Sequence, residues 1–374
     1  MLRLATLIVV PMLALSACGK PAPGSLEKTE GHGSSPSTAP STSPAPSSST
    51  PTHSVGPQVV GTIASGLEVP WGIAFLPDRS ALVTERDSGK VLQIAGRSVR
   101  EVGKVEQAQA DNEAGLLGVA VSPSYAQDHL VFFYASTAED NRVLRTTFVD
   151  GKLGELKPIL TGIPLGTNHD GGRMIFGPDQ MLYVSTGESG RPELAQDRGS
   201  LGGKILRITA DGRPAPGNPV ASSPIWTWGH RNVQGLAFDD SGNLWASEFG
   251  QDRFDELNLI EKGHNYGWPT VEGKGDRAGL TNPQVTWSTD DASPSGLAFL
   301  DGRLWLGALK GERLWRVDVR GRTASAATGF LVGKYGRFRT VVAAPDGNLW
   351  VTTSNRDGRG DPAQSDDRIL LVRP

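Results

Sequence analysis

Short apolar strands, each introduced by a turn, recur along most of the chain. A cluster of Pro, Asp, Ser or Gly precedes a run of four or five residues rich in Leu, Val, Trp and Tyr. The six predicted strands cover residues 81–85, 130–134, 181–185, 244–247, 304–307 and 349–352. Helical periodicity is almost absent between them, so the pattern predicts an all-β fold.

The spacing of these strands indicates the architecture. Successive turns lie roughly 45 to 62 residues apart, which is enough for four short strands with connecting loops. A β-sandwich would need fewer residues and would not repeat. We therefore predict a six-bladed β-propeller of four-stranded antiparallel blades over residues 58–374. Ligands of such a fold usually bind at the central channel, on loops that connect the strands.

The N-terminus carries the pattern of an exported protein. Arg3 and the apolar run over residues 4–15, which is too short to span a bilayer, predict a signal peptide over residues 1–17. The run ends in Leu15-Ser16-Ala17-Cys18, which resembles the lipobox of bacterial lipoproteins and implies a lipid on Cys18. The alternative is an ordinary cleaved signal followed by a chance cysteine. Because two or more acyl chains hold a protein stably at a membrane, we expect an extracytoplasmic protein of the cell envelope, lipid-anchored to a membrane.

Residues 18–57 have the composition of a tether. Between residues 34 and 54 the chain is almost entirely Ser, Thr and Pro, with too little apolar surface to offset the entropy of ordering. We predict a disordered segment there.

Composition excludes several classes of protein. The chain has 47 Gly, 26 Pro and a formal net charge of −3, so it lacks the basic excess of a nucleic-acid binder, and no nucleic-acid partner is expected. High glycine content with strand-forming runs argues against a helical bundle. A single cysteine allows no intramolecular disulfide.

Polar residues concentrate in the loops between the repeats. These loops cover residues 168–173, 228–236, 247–258 with 263–269, 307–311 and 337–339. They include Asn-His-Asp-Gly-Gly-Arg, Gly-His-Arg-Asn, Asp-Glu-Leu-Asn and Asn-Tyr-Gly-Trp-Pro. In this order the blocks resemble the soluble quinoprotein sugar dehydrogenases, the PQQ-dependent aldose and glucose dehydrogenases of the glucose/sorbosone dehydrogenase family. The resemblance covers residues 66–372. It implies a six-bladed propeller that oxidises aldose sugars at C1 to lactones.

The resemblance also implies residue roles. His169 corresponds to the general base, since a neutral imidazole can take the proton of the C1 hydroxyl, and Arg231 to the group that contacts the quinone of PQQ. The corresponding cofactor-holding residues are Asn232, Lys310, Arg337 and Arg339. PQQ carries three carboxylates, which suit guanidinium donors. Arg337 and Arg339 lie two apart on an extended segment and so share one face.

A calcium ion is implied as a second cofactor. The backbone carbonyls of Gly250 and Gln251 match the loop that binds calcium beneath PQQ, and calcium prefers oxygen ligands. Asp255 and Glu256 lie where the family has a further acidic pair, although they would equally serve to cap the loop. Tyr266 is grouped with these metal candidates; its ring is alternatively a stacking surface or a filler between blades.

Three positions depart from the family pattern. Glu113 stands where Gln is usual and Gln251 where Pro is usual. An extra carboxylate at 113, in the cofactor site, weakens affinity for an anionic cofactor unless it is paired. Glu188 replaces Asp, reaches about one bond further, and is a candidate substrate contact that also orients His169. Trp287 is the second candidate substrate contact, with gap filling between blades as the alternative.

Two other functions remain open at this point. Six-bladed propellers also host calcium-dependent lactonases, and a surface-tethered propeller could bind glycans without turnover. For the dehydrogenase, the expected partners are an aldose substrate and an unidentified electron acceptor that reoxidises PQQ.

Overall fold

The computed structural model describes residues 56–374. The predicted signal peptide and the lipidation site at Cys18 lie outside the described residues, as does the predicted tether except for its last two residues. The described part is almost entirely β-structure, with one short α-helix, Tyr125–Asp128, and one 3₁₀ helix, Pro192–Ala195. None of its helices has the length and apolar character needed to cross a membrane.

The strands form six antiparallel blades around a ring. Strand β1 (Gln58–Ser65) comes first in the chain but belongs to the last blade. Blade 1 contains β2 (Pro70–Phe75), β3 (Ala81–Glu85), β4 (Lys90–Ala95) and β5 (Ser98–Lys104); blade 2 contains β6 (Leu116–Val121), β7 (Leu130–Ser136), β8 (Asn141–Val149) and β10 (Lys157–Ile163), with β9 (Lys152–Leu153) paired to β8. Blade 3 contains β11 (Met174–Phe176), β12 (Leu182–Ser185), β13 (Lys204–Ile208) and β14 (Ile225–Trp228); blade 4 contains β15 (Val233–Phe238), β16 (Leu244–Glu248), β17 (Phe254–Ile260) and β18 (Val285–Ser288). Blade 5 contains β19 (Pro294–Leu300), β20 (Arg303–Ala308), β21 (Arg313–Arg320) and β22 (Thr323–Phe330); blade 6 contains β23 (Phe338–Ala343), β24 (Leu349–Thr353), β25 (Arg368–Arg373) and β1.

The predicted six-bladed β-propeller is confirmed. The six strands predicted from the repeat are the second strands of the six blades, namely β3, β7, β12, β16, β20 and β24, with ends that differ by at most two residues. The repeat was detectable because each second strand is buried on both faces and therefore has a continuous apolar run.

The ring is closed by pairing of the two ends of the domain. Strand β1 pairs antiparallel with β25, so that Gln58 lies opposite Arg373 and Ser65 opposite Arg368. This closure removes two free strand edges.

The hydrophobic core consists of six clusters, one between each pair of adjacent blades. Strand β20 shows how the clusters arise: Leu304 and Leu306 pack toward blade 4, whereas Trp305 between them packs toward blade 6. Successive side chains of a strand point to opposite faces, so every blade contributes to two clusters.

The first strands of all six blades line a central cavity of about 430 Å³. Arg173, which directly precedes β11, is buried in this channel. Its guanidinium donates to the Gln234 carbonyl (2.8 Å) and the Thr340 hydroxyl (3.1 Å), and it lies 4.1 Å from the centroid of the Trp71 ring. Burial, together with the smaller effect of the like charge of Arg339, lowers the pKa of Arg173 to about 9. Arg173 thereby links several blades and places a positive charge on the ring axis.

The antiparallel order of each blade decides where polar loops gather. The start of a first strand and the end of a second strand lie at the same end of a blade. Loops 164–173, 229–232 and 334–337 precede first strands, and loops 186–190, 249–253 and 354–360 follow second strands. These segments meet at one mouth of the channel.

Candidate functional site

A continuous series of contacts joins residues from different blades at this mouth. Glu113 contacts the backbone of His169, the His169 ring contacts Glu188, and the Glu188 N–H donates to the Arg231 carbonyl at 2.8 Å. The Arg231 guanidinium then contacts the side chain of Gln251. Five residues predicted from the sequence are therefore brought together.

His169 is held by a buried carboxylate. Its Nδ1 atom is hydrogen-bonded to Oε1 of Glu188, a side chain that is only 1% exposed. Among the described residues, no group hydrogen-bonds the Nε2 atom of His169, whose side chain is 12% exposed. Because a carboxylate on Nδ1 fixes the tautomer with the proton on that nitrogen, Nε2 is available as a proton acceptor.

The backbone around His169 requires glycine. His169 has φ 58°, and a Cβ atom on Gly187 would lie within 2 Å of its carbonyl oxygen (1.8 Å). A side chain at 187 would push away the loop that carries Glu188.

Glu188 was predicted as a substrate contact that also orients His169, and its side chain is buried. A side chain with so little exposed surface reaches a sugar only through His169. Glu188 is therefore a positioning residue for the imidazole, the second of the two roles considered for it.

The Glu113 carboxylate is paired with a cation. It accepts hydrogen bonds from the Arg359 guanidinium (2.9 Å) and from the His169 N–H (3.0 Å). Burial alone would raise the pKa of Glu113, but these hydrogen bonds outweigh burial and hold the pKa below its usual value. Glu113 is therefore ionised and neutralised in the site.

Arg231 and Asn232 lie between the histidine and the loop after β16. The Arg231 Nε donates to Oε1 of Gln251 at 3.0 Å, and the guanidinium lies 5.5 Å from the centroid of the Trp268 ring. Burial lowers the pKa of Arg231, although its charge is retained at any ordinary pH. The side-chain oxygen of Asn232 accepts the Gly171 N–H at 3.1 Å, which ties Asn232 to the loop of His169.

The loop after β16 is organised by Glu272, which the sequence did not single out. One carboxylate oxygen of Glu272 accepts four consecutive backbone N–H groups, from residues 251 to 254, at 2.8 to 3.2 Å. Burial opposes ionisation, but these donors hold the pKa of Glu272 below its usual value. Among the hydrogen bonds of the described residues, none is accepted by the carbonyls of Gly250 or Gln251. Both carbonyls are available to a cation.

Asp255 and Glu256 serve mainly to hold loops. The two oxygens of Asp255 accept the N–H groups of Gly250 (2.9 Å) and Ser293 (2.6 Å). Glu256 accepts the Gly273 N–H at 2.7 Å and the Asn258 amide at 3.0 Å. Burial raises the pKa of Asp255 to about 6, and burial together with the charge of Glu248 raises that of Glu256 to about 8. This is the capping role that the sequence left open.

Arg337 and Arg339 are close together, as their spacing predicts. Each donates to the same oxygen of Asp357 at 3.1 Å, and both guanidiniums are buried. Asp357 has one charge for two cations, and these cations hold its pKa below the usual value against the opposing effect of burial. The pair therefore retains a net positive charge.

Three other predicted site residues lie outside the series of contacts that begins at Glu113. Lys310, a predicted cofactor residue, is 58% exposed and forms an ion pair with the exposed Asp290 at 2.5 Å. Trp287, a predicted substrate contact, is buried in the core between blades 4 and 5 against Trp315. Tyr266, a predicted metal residue, is buried with its ring stacked on His230 and its hydroxyl bonded to backbone groups. Their residue types suit either role, and only the fold decides between them.

No group of three or more His, Cys, Asp or Glu side chains within residues 56–374 is arranged to hold a metal ion. Any cation at this mouth would therefore depend on backbone carbonyls or on mixed ligands.

The chain is similar to known proteins in sequence and in fold. Residues 67–371 match the family model described as Glucose / Sorbosone dehydrogenase. The structure of the PQQ-bound form of aldose sugar dehydrogenase from Streptomyces coelicolor is similar with a TM-score of 0.83 and 51% identity, covering 85% of this chain and 98% of that one. An aldose sugar dehydrogenase of Escherichia coli is 30% identical over 80% of this chain and 91% of its own length. Quinoprotein glucose dehydrogenase B of Acinetobacter calcoaceticus is 34% identical over 58% of this chain and 53% of its own length.

Proposed function

The chain belongs to the glucose/sorbosone dehydrogenase family, and on that premise we propose that it oxidises aldose sugars at C1 to lactones, with PQQ and calcium as cofactors. The observation that carries this proposal is the His169–Glu188 pair, whose free Nε2 atom lies in one series of contacts with Arg231 and the loop of Gly250.

The charges of the site fit an anionic cofactor. Arg231, Arg337 and Arg339 are buried, and Asp357 neutralises only one charge of the last two. Arg173 adds a buried positive charge whose hydrogen bonds all go to neutral groups. Uncompensated guanidiniums are costly to bury, so their accumulation favours a ligand with several carboxylates. Arg231, Asn232, Arg337 and Arg339 would hold PQQ, and Lys310 would join them after leaving Asp290.

The calcium proposal is supported by the loop after β16. Glu272 holds the backbone N–H groups of this loop, and within residues 56–374 the carbonyls of Gly250 and Gln251 accept no hydrogen bond. Oxygen ligands of this kind suit calcium. When bound, PQQ would supply the acceptor for the hydride removed from the sugar, and calcium would supply a Lewis acid that polarises the quinone.

Four residues of the protein have separate roles in the proposed reaction. His169 Nε2 takes the proton of the C1 hydroxyl as C1 is oxidised. Glu188 keeps the proton of His169 on Nδ1 and stabilises the imidazolium that forms. Arg231 places positive charge beside the cofactor that receives the electrons. Asn232 holds the loop of His169 against the loop of Arg231.

Two alternatives make different use of the same fold. A calcium-dependent lactonase needs carboxylates and amides that converge on one axial metal, whereas the axis here carries Arg173. A glycan-binding propeller without turnover would have no need for a base held as His169 is held.

An activity screen distinguishes the three functions. The protein loaded with PQQ and calcium is mixed with a broad panel of aldoses and an artificial electron-accepting dye. Dye reduction with lactone formation supports the dehydrogenase. Failure to oxidise any sugar, although PQQ is bound, would contradict it. Lactone hydrolysis without PQQ that a chelator abolishes would favour the hydrolase, and sugar binding without dye reduction would favour the binding protein.

We further propose that the protein is lipid-anchored in the cell envelope through Cys18, on the basis of the sequence pattern that precedes this residue. This location is tested by detergent phase partition of the full-length protein. We expect the wild type to enter the detergent phase and Cys18→Ala to remain in the aqueous phase. Equal partition of both forms would contradict it.

A further inference from the structure

Arg359 connects two segments that lie far apart in the sequence. It lies in the loop between β24 and β25 and contacts Glu113, which precedes β6 and is 246 residues away in sequence. One guanidinium nitrogen is 2.9 Å from the Glu113 carboxylate, and the other is 2.8 Å from the side-chain oxygen of Asn112. The contact therefore bridges blade 6 and the connection between blades 1 and 2.

The other oxygen of Glu113 faces the reactive groups. It accepts the His169 N–H at 3.0 Å and lies 3.5 Å from the amide nitrogen of Asn232. One carboxylate thus joins Arg359 to the backbone that carries the proposed base. A change in the charge or position of the Glu113 carboxylate therefore acts directly on the backbone of His169.

The loop of Arg359 also sets the charge of the arginine pair. The backbone N–H of Arg359 donates to the Asp357 carboxylate at 3.0 Å, and this carboxylate also pairs with Arg337 and Arg339. A single loop, residues 354–360, therefore supplies a cation to Glu113 and an anion to the arginines. Without that cation, Glu113 would be a partly buried carboxylate facing the site of an anionic cofactor.

We propose that Arg359 is a positioning residue for this site: it neutralises and orients Glu113, and so allows a carboxylate at this position beside an anionic cofactor. This inference rests on the proposed function, because it concerns affinity for PQQ. It assigns a role to a residue outside the blocks that identify the family, and it explains how Glu113 replaces a neutral amide.

Four variants test the proposal. PQQ affinity is measured by absorbance titration of the apo protein in the presence of calcium, together with the unfolding temperature. Arg359→Gln should weaken PQQ binding about tenfold or more, since an uncompensated negative charge then repels the anion. Glu113→Gln should bind PQQ at least as well as the wild type. The double variant E113Q/R359Q should recover near-wild-type affinity, and Arg359→Lys should lie between Arg359→Gln and the wild type.

The matched control is Arg303→Gln. Arg303 is 44% exposed, compared with 46% for Arg359, and it also pairs with a carboxylate, that of Asp318 at 3.4 Å. It lies at the opposite end of blade 5 from the site, at the start of β20. This variant changes the net charge equally and should leave PQQ affinity unchanged.

The outcomes separate the two proposals. If the wild-type protein binds no PQQ, the proposed function fails, and this inference fails with it. If the wild type binds PQQ but Arg359→Gln binds equally well, only the inference fails. It also fails if the double variant binds as weakly as Arg359→Gln. Should Arg359→Gln not fold, the comparison of E113Q/R359Q with Glu113→Gln decides, because equal affinities are expected only when Arg359 acts through Glu113.

Discussion

The Nδ1 atom of His169 is hydrogen-bonded to a carboxylate oxygen of Glu188 that lies almost wholly inside the protein. The second oxygen of Glu188 is buried and has no hydrogen-bond partner within the described residues. Its charge is therefore directed mainly at the imidazole. This relationship makes His169 the group on which the proposed chemistry depends.

Replacing His169 should separate catalysis from cofactor binding. In His169→Gln, we expect kcat to fall by about 10² to 10⁴, because the general base is lost, while PQQ still binds. Steady-state kinetics and PQQ titration check this result. His129→Asn is the control, since His129 is exposed and its φ of 54° is one that Asn adopts readily. Undiminished turnover in His169→Gln would show that His169 is not the general base.

Glu188 should act on turnover through the tautomer of His169. In Glu188→Gln, an amide can donate to Nδ1 and so favour the wrong tautomer, and we expect kcat to fall by roughly 10² or more. Glu188→Asp keeps the charge and should retain more activity than Glu188→Gln. Kinetics of the two PQQ-loaded variants provide the comparison. Equal activities would show that the charge of Glu188 does not matter.

Glu272 should control calcium affinity without touching the ion's proposed carbonyl ligands. Glu272→Gln replaces a charged acceptor of four N–H groups with a weaker neutral one. We expect calcium affinity to fall about tenfold, as measured by calorimetric titration. Glu106→Gln, at a well-exposed glutamate, should behave as the wild type. An unchanged calcium affinity in Glu272→Gln would contradict the proposal that the loop after β16 binds calcium.

Asp170 should make the stability of the apo protein depend on pH. Burial raises its pKa to about 7, whereas the unfolded chain releases this proton near pH 4. The folded state therefore binds more protons between these values, and the free energy of unfolding falls as the pH rises through this window.

The Asp170→Asn variant isolates this contribution. Between pH 5 and pH 8, the fall in unfolding temperature should be roughly 2 to 6 °C smaller in this variant than in the wild type. Scanning calorimetry of the apo proteins measures the difference, with the exposed Asp240→Asn as the control. Parallel curves for Asp170→Asn and the wild type would exclude Asp170 as the cause.

The sequence predicted features that depend on local pattern. The second strands of the blades carry continuous apolar runs because both of their faces are buried, and their repetition revealed the propeller. Arg337 and Arg339 were predicted to share a face from strand periodicity alone, and both reach Asp357.

The residues that were missed contact the site from other loops of the chain. Arg359 meets Glu113 only because the ring closes, and Glu272 reaches the loop of Gly250 from a separate connection. No local pattern marks such partners. The burial of Trp287 and Tyr266 was left open for a related reason, because an aromatic residue in a loop block carries no signal of whether it faces a ligand or the core.

The most direct test is a single turnover without an external acceptor. The protein is loaded with PQQ and calcium, mixed anaerobically with one equivalent of an aldose, and followed by absorbance while the sugar products are quantified. We expect the spectrum of oxidised PQQ to bleach as one equivalent of lactone forms, and deuterium at C1 to slow the bleaching. An unchanged PQQ spectrum with the aldose recovered intact, across the sugar panel, would contradict the proposed function.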